Sequence, residues 1–165
     1  MTLKDILQRC LNELEWKDAI EHDESDDTDY VSTGYLIDGQ SYRLVLVTSE
    51  KDQILRIMLV SPLRIPKSRI REAALVLNFL NSRMSVGNLE IDATDMLYYR
   101  WAIDVEGASA APAQFKTMIG AATAAFDERR CTAIGAAVFS VMPAEDIIES
   151  YVQEAENLRV PRFVS

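Results

Sequence analysis

The feature that most constrains the fold is a pair of β-rich segments, Tyr30–Ile37 and Tyr42–Thr48, joined across Asp38-Gly39. Both are rich in β-branched and aromatic residues, and Asp-Gly accepts the positive φ angles of a two-residue hairpin turn. Gln53–Val60 continues the pattern after the polar turn Ser49–Asp52, so the chain predicts a three-stranded antiparallel meander that Ser61-Pro62 closes. A second antiparallel pair is predicted at Val86–Asp92 and Met96–Val105. In its longer member Leu97, Tyr99, Trp101, Ile103 and Val105 alternate with Met96, Tyr98, Arg100, Ala102 and Asp104, which assigns one apolar face.

Helical spacing fills most of the remainder. Leu3, Ile6, Leu7, Cys10, Leu11 and Leu14 recur with a helical period over residues 2–15, with Thr2 as N-cap and Asp5 completing a capping box. Trp16–Ile20 reads as a short strand leaving that helix, and Glu21–Asp29, with six acidic residues in nine, as a solvated loop. A second helix starts near Pro66 and carries Ile70, Ala73, Ala74, Val76, Leu77 and Leu80. After the small-residue loop Gly107–Ala111, Pro112 opens a third helix, with Arg129-Arg130 towards its end or at a bend. Cys131–Val141 fits a helix or a strand equally, and Pro143 starts a last helix. Strands grouped behind short loops exclude the alternating units of a parallel sheet. The fold class is therefore α+β: an antiparallel sheet, β-meander plus β-hairpin, covered by helices.

Size and charge narrow the function. A chain of 165 residues fits one domain, 1–165, and 48% hydrophobic residues suffice for a core. No apolar run reaches the ~18 residues of a membrane span, and the start lacks the plan of a secretory signal, which predicts a cytoplasmic protein. A formal net charge of −9 repels phosphate backbones and anionic head groups, so neither nucleic acid nor membrane is an expected partner.

The residue types offer little chemistry. Asp23, Ser25, Asp27 and Asp29 alternate as in an EF-hand loop, but Thr28 stands where glycine is needed and Gly34 where a bidentate glutamate is needed. The run 21–29 is thus a solvated loop, with weak cation binding or contact with a basic partner as alternatives. His22 is the only histidine, and Cys10 and Cys131 lack metal-ligand spacing. Gly107–Ala111 falls short of a nucleophile elbow, and no phosphate-binding glycine loop occurs. The expectation is a non-enzymatic protein with no catalytic residues, no metal and no cofactor. Arg64, Lys67, Arg69 and Arg71 form one local cationic cluster, read as a solvated face.

Leu77-Asn78-Phe79-Leu80-Asn81, Ser85-Val86-Gly87-Asn88-Leu89-Glu90-Ile91-Asp92 and Leu97-Tyr98-Tyr99-Arg100-Trp101-Ala102-Ile103 together resemble the YbjN family, whose members look like relatives of type III secretion chaperones. The resembling features are a helix ending in Leu-Asn, a glycine opening a strand that ends in Asp, and an aromatic strand containing Tyr-Arg. The resemblance implies a type III secretion chaperone-like fold with an extra C-terminal helix after Pro143. It also implies a dimeric, cytosolic, chaperone-like or regulatory protein that holds a polypeptide client. It carries over no catalytic residue, and the extra helix is placed where it could cover a client surface.

Two surfaces follow as expectations. A client would meet the first helix and the strands carrying Tyr35, Ile37, Tyr42 and Leu44, since an exposed strand edge can add a partner strand. A homodimer would use Ile70, Val76, Leu77 and Phe79, because apolar positions on the second helix exceed the ~100° stripe that one sheet requires. A third helix of the same chain is the alternative cover. The rival function is a small-ligand sensor or enzyme with an anion site near Arg100, although alternation puts Tyr98 and Arg100 opposite Tyr99 and Trp101.

Overall fold

The computed structural model describes residues 1–159. The chain runs α1 (Leu3–Glu13), β1 (Glu21–Asp23), β2 (Thr28–Ile37), β3 (Gln40–Ser49), β4 (Ile54–Arg64), a 3-10 turn (Lys67–Arg69), α2 (Ile70–Asn81), β5 (Asn88–Ile91), β6 (Met96–Asp104), α3 (Pro112–Ala125), α4 (Glu128–Phe139) and α5 (Ala144–Arg159). The strands form one antiparallel sheet in the order β1-β2-β3-β4-β6-β5. The class is α+β, as the grouping of strands predicts.

Local chemistry sets these boundaries. Thr2 and Asp5 form the capping box of α1. Asp38 (φ 48°) and Gly39 (φ 80°) make the β2–β3 turn, both in the left-handed region that a two-residue hairpin demands. Pro66 precedes the 3-10 turn rather than α2 itself, so the second helix begins at Ile70.

Four expectations are corrected. Trp16–Ile20 is not a strand; Trp16 instead packs edge-on against Tyr35, ring centroids 6.3 Å apart. The acidic run is not a loop throughout: Glu21–Asp23 pairs with Thr28–Tyr30 in a small hairpin, where Tyr30 donates to Glu21 at 2.7 Å. Ser61-Pro62 does not end the third meander strand, which continues to Arg64. The pairs Val60↔Tyr98 and Arg64↔Met96 enclose three residues of β4 against one of β6, a bulge that accommodates a proline lacking a ladder donor. Arg129-Arg130 opens α4 rather than ending α3, because Asp127 accepts the backbone N–H of Arg130 as an N-cap; the ambiguous Cys131–Val141 is helical to Phe139.

The main core cluster lies on one side of the sheet, while Val47, also buried, faces the other. Leu44 and Leu46 of β3, Leu55, Ile57 and Leu59 of β4 and Tyr99 of β6 meet α1, α2 and α3 in a cluster that extends to α4 and α5. α5 lies on α2 and α4, in the helical layer, and not over the sheet. Arg69 of the expected cationic cluster and the neighbouring Glu72 fasten that layer, which corrects the reading of Arg69 as part of a solvated face. Arg69 donates to the carbonyls of Ala137 (2.8 Å) and Met142 (2.9 Å) around the end of α4. Glu72 accepts the N–H of Ala144 (2.7 Å) at the start of α5. Each charge matches the helix end it touches, cation to C-terminus and anion to N-terminus.

Candidate functional site

Pairing decides which part of the sheet can meet another chain. β3 lies between β2 and β4 and offers no edge, which corrects the expectation that Tyr42–Thr48 is one. β2 is different. β1 pairs only with Thr28–Tyr30, leaving Val31–Ile37 without a hydrogen-bonded strand on that side. Ile37↔Gln40 closes the two-residue turn, so bonds to β3 recur at every second residue from Ile37 back to Asp29. The N–H and C=O groups of Ser32, Gly34 and Leu36 therefore point to the open edge. Among the described residues no backbone group pairs with them there. All three residues are exposed, Leu36 at 72%.

The side chains expected to bind a client are elsewhere. Ile37, Tyr42 and Leu44 are buried, and Tyr35 is half-buried beneath Trp16 with its hydroxyl accepting from Thr123 at 3.2 Å. They share the core face because apolar side chains in register, Tyr35 opposite Tyr42, are drawn to the helices. Tyr42 meets Phe126 at a tilt of 54°, ring centroids 4.9 Å apart, and burial pushes its hydroxyl up to about 12. The side chains meet the helices, and the backbone of the intervening residues meets solvent. Period-two spacing identifies those intervening residues; which edge lacks a neighbour depends on β1, hidden in a run of charges.

The second expected surface is enclosed within the chain. Val76 and Leu77 are buried, Ile70 is half-buried, and the Phe79 ring meets Tyr151 of α5 edge-on at 5.8 Å. The surplus apolar circumference of α2 is covered by α4 and α5 and not by α3, the alternative read from sequence.

Arg100 is not poised for a free anion. Its guanidinium donates to Glu90 at 3.0 Å, Tyr98 donates to the other Glu90 oxygen at 2.6 Å, and Tyr99 and Trp101 lie on the opposite face. A groove of about 300 Å³ between the end of β4 and α4 is lined by Tyr42, Leu63, Phe126, Cys131 and Phe139, with no charged residue in its wall. Burial raises the Cys131 thiol, whose Sγ donates to the Phe126 carbonyl. Among the described residues no group of three or more His, Cys, Asp or Glu is placed to hold a metal. No described helix is long and apolar enough to cross a membrane.

The sequence features around Gly87 have structural roles. Asn81, at the end of α2, accepts from the Leu89 N–H at 2.8 Å and donates to the Leu89 carbonyl at 3.0 Å, occupying the outer edge of β5 as a neighbouring strand would. Gly87 (φ 66°) passes against the buried Tyr99 ring, whose hydroxyl donates to the Val86 carbonyl at 3.2 Å. A Cβ at position 87 would overlap that ring.

The family model named YbjN, described as "Putative bacterial sensory transduction regulator", matches residues 3–129. No curated protein matches the chain. Among solved structures, E. coli YbjN, titled "a putative transcription regulator", is 11% identical; the match covers 91% of this chain and 92% of that one at a TM-score of 0.48. A chain of the HopA1-SchA chaperone-effector complex is 18% identical, with 72% and 85% covered and a TM-score of 0.46.

Proposed function

We propose, from the premise that this chain belongs to the YbjN family, that it is a protein-binding module, chaperone-like or regulatory, which takes an extended segment of a partner onto the open edge of β2. The observation that carries this reading is a row of β2 backbone groups that no described backbone group hydrogen-bonds, although Trp16 and Asp18 lie beside the strand. Proteins blunt exposed edges with proline, lysine, inward-pointing charges or a covering loop. Ser32-Thr33-Gly34-Tyr35-Leu36 has no proline and no charge, and it presents three unpaired backbone positions with an exposed leucine beside the last. Strand addition supplies main-chain hydrogen bonds for affinity and alternate side-chain contacts for specificity.

The test replaces an edge donor without touching the β2–β3 ladder. Gly34→Pro removes an N–H that faces solvent, a placement proline tolerates on an edge strand, and Leu36→Lys adds the charge that blunts an edge. Both variants are expected to fold and to lose the partner recovered with the unaltered chain after mild crosslinking. That partner should slow amide exchange at Ser32, Gly34 and Leu36. Recovery of no partner, or of one retained by both variants, refutes the reading.

A further inference from the structure

The groove beside α4 is uncharged at one end and acidic at the other. The uncharged end, about 300 Å³ between the close of β4 and α4, is walled by Leu63, Leu97, Ile134 and Phe139. A second hollow of about 600 Å³ lies between the β2–β3 turn and the start of α4, and its charged lining residues are Asp38 and Glu128. The two hollows share Gln40, Tyr42, Phe126 and Cys131, so they meet at the Tyr42 and Phe126 rings. Their volumes fall in the ~300–1,000 Å³ range of small-ligand clefts.

Both carboxylates are uncommitted. Among the described residues neither Asp38 nor Glu128 makes an ion pair. The neighbouring cations are engaged elsewhere: Arg130 is held by Asp127 and by the Ala124 carbonyl at 2.8 Å, and Arg129 lies over the Tyr151 ring, 4.4 Å from its centroid. Arg43 is exposed and alternates with Tyr42 to the other face of the sheet, and Arg64, after Leu63, lies near Asp92. Between the two ends stands a buried polar group. Tyr42 is 5% exposed, and the partner of its hydroxyl is the Cys131 sulfur, a weak acceptor whose own proton goes to the Phe126 carbonyl. Buried hydroxyls ordinarily find an oxygen or a nitrogen.

We infer that this groove binds a small organic cation, a primary ammonium on an apolar body, with the ammonium at the acidic end beside Asp38 and Glu128 and the apolar body in the uncharged end. An ammonium brings N–H donors for the two carboxylates and for the Tyr42 hydroxyl. The net charge of −9 raises the concentration of cations at the surface. An anionic amphiphile would meet two carboxylates, and a cation without an apolar body would leave the uncharged end empty. The inference does not depend on strand addition at β2.

The full chain is titrated with n-octylammonium, n-octanol and octanoate and followed by NMR. n-Octylammonium, charged at neutral pH as a lysine side chain is, should shift the methyl resonances of Leu63, Leu97 and Ile134 and the amides of Asp38 and Glu128. It should bind more tightly than n-octanol, and octanoate most weakly. Asp38→Asn/Glu128→Gln should weaken n-octylammonium about five- to tenfold, as two partly exposed ion pairs would, and leave n-octanol unchanged. That variant keeps the fold, because asparagine accepts the left-handed φ of 48° and Asp127 remains the N-cap of α4. Gly135 lies in the wall of the uncharged end with open space where a Cβ would stand, so Gly135→Leu narrows the groove while favouring the helix. It should bind neither n-octylammonium nor n-octanol. Shifts that are absent or gathered elsewhere, octanoate binding as tightly as n-octylammonium, or full binding by the double variant or by folded Gly135→Leu overturns the inference. Should Gly135→Leu not fold, the double variant decides alone.

Discussion

Replacing Gly87 by alanine isolates the cost of bringing backbone and ring together. Gly87 adopts φ 66°, where an L side chain costs ~1–2 kcal/mol. The added methyl would also overlap Tyr99, a fully buried ring of β6, and overpacking of this kind costs ~1–3 kcal/mol. If the ring moves, its hydrogen bond to the Val86 carbonyl is lost as well, ~0.5–1.5 kcal/mol. The expected destabilisation is about 3–6 kcal/mol from these contributions together. For a chain of this length a middle value lowers Tm by roughly 8–16 °C. Gly107→Ala is the internal control, since Gly107 has nearly the same φ, 69°, and open space where its Cβ would stand. It should lose only the backbone part, ~1–2 kcal/mol. Urea unfolding of both variants, analysed with a common m-value, gives the difference. Equal losses within about 0.5 kcal/mol, the usual scatter between independent sites, would show that Tyr99 yields without cost and would refute the overlap argument.

Two further outcomes are expected. Asn81→Ala removes both bonds to Leu89 and should cost about 1–2 kcal/mol, with faster amide exchange at Leu89; unchanged exchange would mean that the amide does not hold the β5 edge. Asp92 is held below its ordinary value of 3.8, first by the Met96 N–H and then by the Thr94 hydroxyl. Its stabilisation is present above that value and is lost as pH falls through the lower folded-state value. Asp92→Asn should be less stable at neutral pH, with the gap closing in acid, and a gap independent of pH would contradict the assignment.

Patterns of two and of 3.6 residues were enough to read the meander, the Asp38-Gly39 turn and the face of β6 that carries Tyr99. They failed where a local preference was overruled by pairing. The charges of Glu21–Asp23 disguise a strand because both its neighbours in the fold, Tyr30 and solvent, accept polar groups. Pro62 reads as a terminator, yet the bulge lets β4 pass through it. Asp127 as N-cap, which separates α4 from α3, was available in the sequence and was obscured by the two arginines after it. The candidate site divided differently: Tyr35, Ile37, Tyr42 and Leu44 are apolar and alternate, which is the signature of a core face, whereas the open edge belongs to Ser32, Gly34 and Leu36, whose side chains advertise nothing. Edge position is a property of the whole strand order and has no local residue code.

The fastening of α4 and α5 to α2 bears on how this chain can be divided. The family match stops at Arg129, inside the first turn of α4. Val76, Leu80 and Phe79 nevertheless rest in a layer completed by Ile134, Ala137, Ile147 and Tyr151, all of them beyond that limit. Arg69 and Glu72 likewise find their partners only there. A cut at the limit of the family match would expose the interior of the helical layer, so that limit falls inside one packed unit and not between two.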